Sequence, residues 1–284
     1  MAQRVIISSD STCDLSQELI EQYGIRIFAL TIVREDEVLR DGIDIKTKDI
    51  FDYKRQTNKL IKTSAANMME YENYFNSIAQ DEDCAIVHFC ISSDMSVSYT
   101  NARNAEPKCK TFVVDSRNLS TGIGLQVLKA CELRDAGKSA EEIFESIEAM
   151  KEKVDTTFVI DTLEYLHKGG RCSGVARLGA NLLKLKPCIL VENGKMDVGK
   201  KYKGKLSDVL ITYVKERLAN MDSIDKHRIF VTHTFVDDDQ SIPQSVVQFI
   251  KENYDFEEVL ETTAGCSVSV HCGPKTLGIL FVRK

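Results

Sequence analysis

Ser, Thr and Asp crowd four short stretches of this 284-residue chain: Ser9-Asp10-Ser11-Thr12-Cys13-Asp14-Leu15, Lys62-Thr63-Ser64, Ser92-Ser93-Asp94-Met95-Ser96-Val97-Ser98 and Asp115-Ser116. The first, third and fourth each follow a short apolar run, which puts them at the carboxyl end of a strand, where open α/β sheets bind ligands. Lys62-Thr63-Ser64 precedes a helix beginning near Asn67, so the Thr63 and Ser64 hydroxyls are expected at a helix N-terminus. Free N–H groups and the macrodipole attract an anion there. Ser92, Ser93 and Ser96 open the helix that follows the run Cys84–Ile91, a second such place. Capping alone explains any one cluster, since these residue types are the best N-caps, with Asp14 or Thr12 capping in the first. Their repetition at neighbouring strand ends points to a site for an oxygen-rich ligand.

Two further segments carry chemistry. Lys168-Gly169-Gly170-Arg171-Cys172-Ser173 is a tight Gly-Gly turn that delivers Arg171, a side chain suited to a carboxylate or phosphate. Ser269-Val270-His271-Cys272-Gly273-Pro274 sets His271 just before a Gly-Pro turn, and His233 ends another apolar run; a lone His is more often structural than catalytic. Gly194 to Lys201 nearly spells a phosphate-binding P-loop, but Lys201 stands where Ser or Thr would hold magnesium, and Asn193-Gly194 between apolar runs reads as a hairpin turn. Neither a GxSxG elbow nor an HExxH or EF-hand motif occurs. No metal or cofactor is expected.

The elements that must position these groups follow βαβ grammar in the first half. RVIISS, IRIFALTIV, CAIVHFCIS and TFVVDS read as strands. LSQELIEQYG, NMMEYENYFNSIAQ, SYTNARNA and the long stretch GIGLQVLKACELRDAG read as helices. Apolar strands alternating with helices imply a parallel sheet covered on both faces. A Lys/Glu-rich helix, SAEEIFESIEAMKEK, leads out of this unit. The second half is mixed: FVID, helices carrying LEYLHKGG and LGANLLKLKP, the hairpin, a helix LSDVLITYVKERLANM, the strand HRIFVTHTF, a helix SVVQFIKENY, and the strands EEVLETTA and LGILFVRK. The expected fold class is α/β in two domains: an N-terminal parallel-sheet three-layer domain, residues 1–155, and a C-terminal mixed-sheet α/β domain, residues 156–284.

Composition narrows the function classes. At 43% hydrophobic and 28% charged the chain is an ordinary globular protein, and 284 residues supply two cores. A net charge of -6 and a pI near 5.5 argue against a nucleic-acid partner. The apolar start is too short for a signal-peptide core or a membrane span, so a cytoplasmic location is expected. Nine cysteines, an odd number with no CxxC among them, read as small buried thiols rather than disulfides or metal ligands.

With these residues in hand, the sequence resembles the DegV family, bacterial fatty-acid-binding proteins that include the acyl-carrying subunit of fatty acid kinase. The resemblance spans nearly the whole chain. It rests on Asp10-Ser11-Thr12 with Asp14-Leu15, Lys62-Thr63-Ser64, Ser92-Ser93 to Ser96 and Tyr99, Val114-Asp115-Ser116, Leu163 to Arg171, Leu182 to Pro187, and His271 with Gly273-Pro274. It implies a long-chain fatty acid in a tunnel between two domains, its carboxylate held by Thr63 and Ser96, with Ser64, Ser93, Arg171 and His271 supporting the head group. It also implies a non-catalytic subunit that presents the carboxylate to an ATP-binding kinase partner, which forms the acyl phosphate. The chain departs from the family pattern at Ala65-Ala66-Asn67, Val97, Lys203 and Lys275, positions that bear on pocket shape, chain-length preference and partner docking. Rival readings are a stand-alone hydrolase or phosphotransferase using Asp10, Ser11 or His271, a carrier of a different lipid, and a pure interaction protein.

Overall fold

The computed structural model describes residues 4–79, 83–176, 185–236 and 240–284. Its first part runs β1 (Arg4–Asp10), α1 (Gln17–Tyr23), β2 (Arg26–Phe28), β3 (Thr31–Arg34), β4 (Glu37–Arg40), α2 (Thr47–Thr57), β5 (Lys62–Ser64), α3 (Met68–Ile78), β6 (Cys84–Cys90), α4 (Ser98–Arg103), β7 (Lys110–Asp115), α5 (Thr121–Asp135) and α6 (Ala140–Met150). The remainder runs β8 (Val154–Val159), α7 (Glu164–Gly169), α8 (Ser173–Ala176), β9 (Leu185–Glu192), β10 (Lys195–Lys203), α9 (Leu206–Arg217), β11 (Ile224–His233), α10 (Ser241–Asn253), β12 (Glu258–Thr263), α11 (Cys266–Cys272) and β13 (Leu277–Arg283).

Strands β2-β1-β6-β7 form a wholly parallel sheet. Every residue of β6 is buried, because the sheet is covered on both sides: Ala85, Val87 and Phe89 face α5 and α6, while Cys84, Ile86 and Cys90 face α3 and α4. That is the expected three-layer arrangement. The second sheet has the order β10-β9-β8-β13-β11-β12 and is mixed, with β11 and β12 its one parallel pair. Helices α9 and α10 pack on one face of it around Tyr213, Val214, Val246 and Ile250. Helix α5 is buried on nearly every side, and its core joins Ile7 and Val87 of the first sheet to Phe230 and Leu280 of the second. A helix without a polar stripe belongs between two layers, and α5 occupies that place.

Asn193 and Gly194 both take positive φ, 50° and 77°, and turn β9 into β10 as a hairpin, which removes the helix a P-loop requires. All nine cysteines are buried and unpaired. Among the described residues, no helix is long and apolar enough to cross a membrane, and no cluster of His, Cys, Asp and Glu could hold a metal ion.

Several expectations are corrected. IRIFALTIV is not one strand: it breaks after Phe28, and Thr31–Arg34 joins a separate antiparallel sheet of order β4-β3-β5. Lys62-Thr63-Ser64 is strand β5 of that sheet, paired Ile32 to Thr63, so Thr63 and Ser64 do not sit at a helix N-terminus. Asn67 holds that position, with a reciprocal capping box to Glu70 that outcompetes hydroxyls further upstream. Of the helix read in LGANLLKLKP, the stretch through Lys184 lies outside the described residues, and Leu185–Pro187 already belong to β9.

Candidate functional site

The carboxyl ends of β1 and β6, strand β5 and helix α11 surround a cavity of about 330 Å³. Thr63, Ser64, Ser93, Ser96, Arg171 and His271 all line it. Much of the remaining wall is apolar, with Leu30, Met95, Leu119, Met196, Val268 and Cys272. A separate cavity of about 20 Å³ shares Leu119, Val268 and Cys272 with it and is lined on its other sides by Phe158, Leu280, His233 and several threonines. The larger cavity therefore combines hydroxyls, an Arg and a His with apolar side chains, the mixed lining an amphiphile requires.

At the polar end, Thr63 Oγ1 and His271 Nε2 are 3.0 Å apart. Burial, seconded by the Arg171 guanidinium, pushes the His271 imidazole down to about 4, so the ring is neutral at pH 7. Its Nδ1 is buried without a partner among the described residues. Gly169, at the end of α7, lets the chain lie against this ring, since a Cβ there would stand 2.4 Å from Nδ1. Arg171 follows, exposed, donating from Nη1 to the Gly169 carbonyl at 2.7 Å and making no ion pair among the described residues.

Across the cavity, Ser96 Oγ accepts from the Ser98 N–H at 3.2 Å at the start of α4 and lies 2.8 Å from the Ser98 hydroxyl. Ser93 donates its hydroxyl to Asp115 Oδ2 at 2.6 Å, and its N–H bonds Oδ1 of the same carboxylate at 3.1 Å. Arg117 reaches Ser93 Oγ at 3.0 Å and Asp94 at 2.6 Å, holding the Asp94 carboxyl below its usual range. Ser93 is therefore braced, whereas Ser96 and Thr63 are the hydroxyls with capacity to spare. Ser64 is exposed at the rim.

Of the residues named for a stand-alone enzyme, His271 lines the cavity, whereas Asp10 and Ser11 are engaged in bonds that shape the turn after β1. Asp10 caps the turn after β1, accepting from the Thr12 N–H at 3.1 Å and from the Ile91 N–H at 2.9 Å, and burial pushes its carboxyl up to about 6. Helix α1 is capped neither by Asp14 nor by Thr12 but by Ser16, whose hydroxyl accepts from the Leu19 N–H at 3.3 Å. The Ser11 hydroxyl donates to Asp41 at 2.9 Å. Ser92 bonds the Gly194 carbonyl, Ser116 Oγ donates to the Asn118 carbonyl, and neither lines the cavity. His233 is buried beside Glu261 at 3.2 Å, away from the head-group wall. Sequence reasoning missed α11 as a helix, Ser267 on the cavity wall, and Asp41, whose role only the folded chain exposes.

The family model for DegV matches residues 4–284. A DegV domain-containing protein of Clostridium acetobutylicum is 30% identical over 99% of this chain and 99% of its own length. One from Caldanaerobacter subterraneus is 28% identical over 99% of this chain and its full length. Among solved structures, a stearic-acid-binding protein of Eubacterium ventriosum is 25% identical with a TM-score of 0.85, covering 100% of this chain and 99% of that one. A fatty-acid-binding DegV protein of Thermus thermophilus, at 24% identity and a TM-score of 0.87, covers 99% and 100% and shares the two-domain α/β fold. With its whole length matched in sequence and in fold, the chain belongs to the DegV family.

Proposed function

We propose that this chain is a non-catalytic, cytoplasmic lipid-binding protein that holds a long-chain fatty acid between two domains, residues 1–155 and 156–284. Thr63 and Ser96 hold the carboxylate, supported by Ser64, Ser93, Arg171 and His271, and the acid is presented to an ATP-binding kinase partner for acyl-phosphate formation. One observation carries the reading: six polar side chains drawn from distant segments line one cavity together with apolar ones. The stearic acid bound by the Eubacterium ventriosum relative supports the same ligand class.

Energetics support this division of labour. Burying about twelve methylenes at roughly 0.8 kcal/mol each contributes on the order of 10 kcal/mol gross, so the tail dominates affinity. The head group sets orientation, because a desolvated carboxylate is costly without hydroxyl donors and a nearby cation, here Arg171. With the His271 proton on Nε2, that N–H donates to Thr63 Oγ1 and leaves the Thr63 hydroxyl proton free to turn toward the ligand.

The test is extraction of purified protein under denaturing conditions, with mass spectrometry of what is released. A stoichiometric fatty acid is expected. No lipid-like ligand, together with no rise in melting temperature on adding fatty acids, would refute the reading.

A further inference from the structure

Helix α11 carries Ser267, Val268, His271 and Cys272 to the cavity, yet at seven residues it is too short to hold itself. Its N-cap, Gly265, has no side chain to satisfy the exposed N–H groups of the first turn. Two buried acids from the opposite end of the chain do so. Asp14 Oδ1 accepts from the Gly265 N–H at 2.9 Å. Asp41 Oδ1 and Oδ2 accept from the Cys266 and Ser267 N–H groups at 2.8 and 3.0 Å.

Both acids are held in turn. Ser120 donates to Asp14 at 2.6 Å and Ser11 to Asp41 at 2.9 Å, while the Thr47 hydroxyl bonds the Ala264 carbonyl at 2.7 Å. A Cβ on Gly265 would lie 3.1 Å from Asp14 Oδ1 and 3.4 Å from Asp41 Oδ1, so the carboxyl groups sit directly against the helix start. Asp14 meets the helix start as a hydrogen-bond acceptor, and burial pushes its carboxyl up to about 8. Asp41, bonded through both oxygens, places its charge where the macrodipole favours an anion.

We propose that Asp14 and Asp41 are positioning residues for the head-group end of the cavity: they fix the axis of α11 and thereby set His271 against Thr63. The inference rests on the fatty-acid reading above. His271 is five residues beyond Cys266, about 7.5 Å along the axis, so a tilt at the capped end reaches the ring with little attenuation. Asp41→Asn keeps the shape but offers one acceptor, and turns an NH₂ toward the other helix N–H.

The experiment compares [1-13C]palmitate with hexadecanol, a probe of equal length without a carboxylate, on wild type, Asp41→Asn and Asp14→Asn. The expected result is that Asp41→Asn lowers the affinity ratio of acid to alcohol by about tenfold and shifts the bound carboxyl 13C resonance. Equal weakening of both probes with an unmoved resonance overturns the inference and leaves the fatty-acid reading standing. Should Asp41→Asn fail to fold, the same ratio on Asp14→Asn decides. Wild type that binds neither probe overturns both.

Discussion

Replacing Gly169 by alanine separates local helix preference from the fit between α7 and the cavity. Gly169 lies within α7 and precedes the left-handed Gly170, so its own backbone is helical and alanine is conformationally welcome. On propensity alone the change stabilises by up to about 1 kcal/mol. The new methyl, however, would sit 2.4 Å from His271 Nδ1 and 3.4 Å from Cγ and Cε1. Ordinary contact demands roughly 3.5 Å, so the ring must retreat by about 1 Å. That retreat runs toward Thr63 Oγ1, only 3.0 Å from His271 Nε2, so the ring cannot simply back away: it must turn aside, and the hydrogen bond is lost. Overpacking costs about 1–3 kcal/mol and the lost bond about 1 kcal/mol, which outweigh the helix gain.

The His271→Ala background reverses the sign. With the ring gone, nothing else stands closer to the methyl than ordinary contact of 3.4 Å, and only the propensity gain remains. A double-mutant cycle read from urea midpoints at constant m-value therefore shows coupling of about 2 kcal/mol between positions 169 and 271. Gly169→Ala destabilises the parent and stabilises the His271→Ala protein. The same cost in both backgrounds would falsify the contact between α7 and α11 as the source of the effect.

Three further outcomes follow from the site and its frame. Thr63→Ala and Ser96→Ala each weaken fatty-acid binding by about tenfold in titration calorimetry, since a hydrogen bond to a charged group contributes about 1.5–3 kcal/mol; unchanged affinity in both variants removes the carboxylate site. Burial pushes the imidazole of His88 down to about 3, with Ser8 Oγ at 2.9 Å from Nδ1 and Nε2 unpartnered among the described residues. Because that value lies below the ordinary 6.5, the stability His88 contributes is complete above pH 6.5 and is lost as pH falls toward 3. His88→Gln therefore loses less urea resistance than wild type between pH 7 and about pH 4.5, and parallel losses in the two proteins count against a neutral buried His88. For Asp41→Asn, the palmitate-to-hexadecanol ratio given above is the decisive reading.

How far the sequence foretold this molecule depends on whether a signal was local. Strand β6 was legible because a run buried on both faces is apolar throughout, and the β9–β10 hairpin because Asn193-Gly194 suits a turn with two positive φ angles. Strand β4 was not legible: Glu-Val-Leu-Arg is largely exposed and exists only by pairing with β3. The start of α3 near Asn67 is legible, but Thr63 and Ser64 do not share it, because the box that Asn67 and Glu70 build just downstream already caps the helix.

The site shows the same division more sharply. Its residue types were readable, hydroxyls near strand ends with one Arg and one His, but their meeting was not. Thr63 and His271 are separated by 208 positions, and the segment bearing His271 alternates Ser-Val-Ser-Val-His with the period of a strand. It folds as a helix because Asp14 and Asp41 supply the caps its own sequence lacks. A pattern that misleads locally is corrected by two acids from the far end of the chain, and those acids are placed at the start of a helix whose other end carries His271 to the cavity.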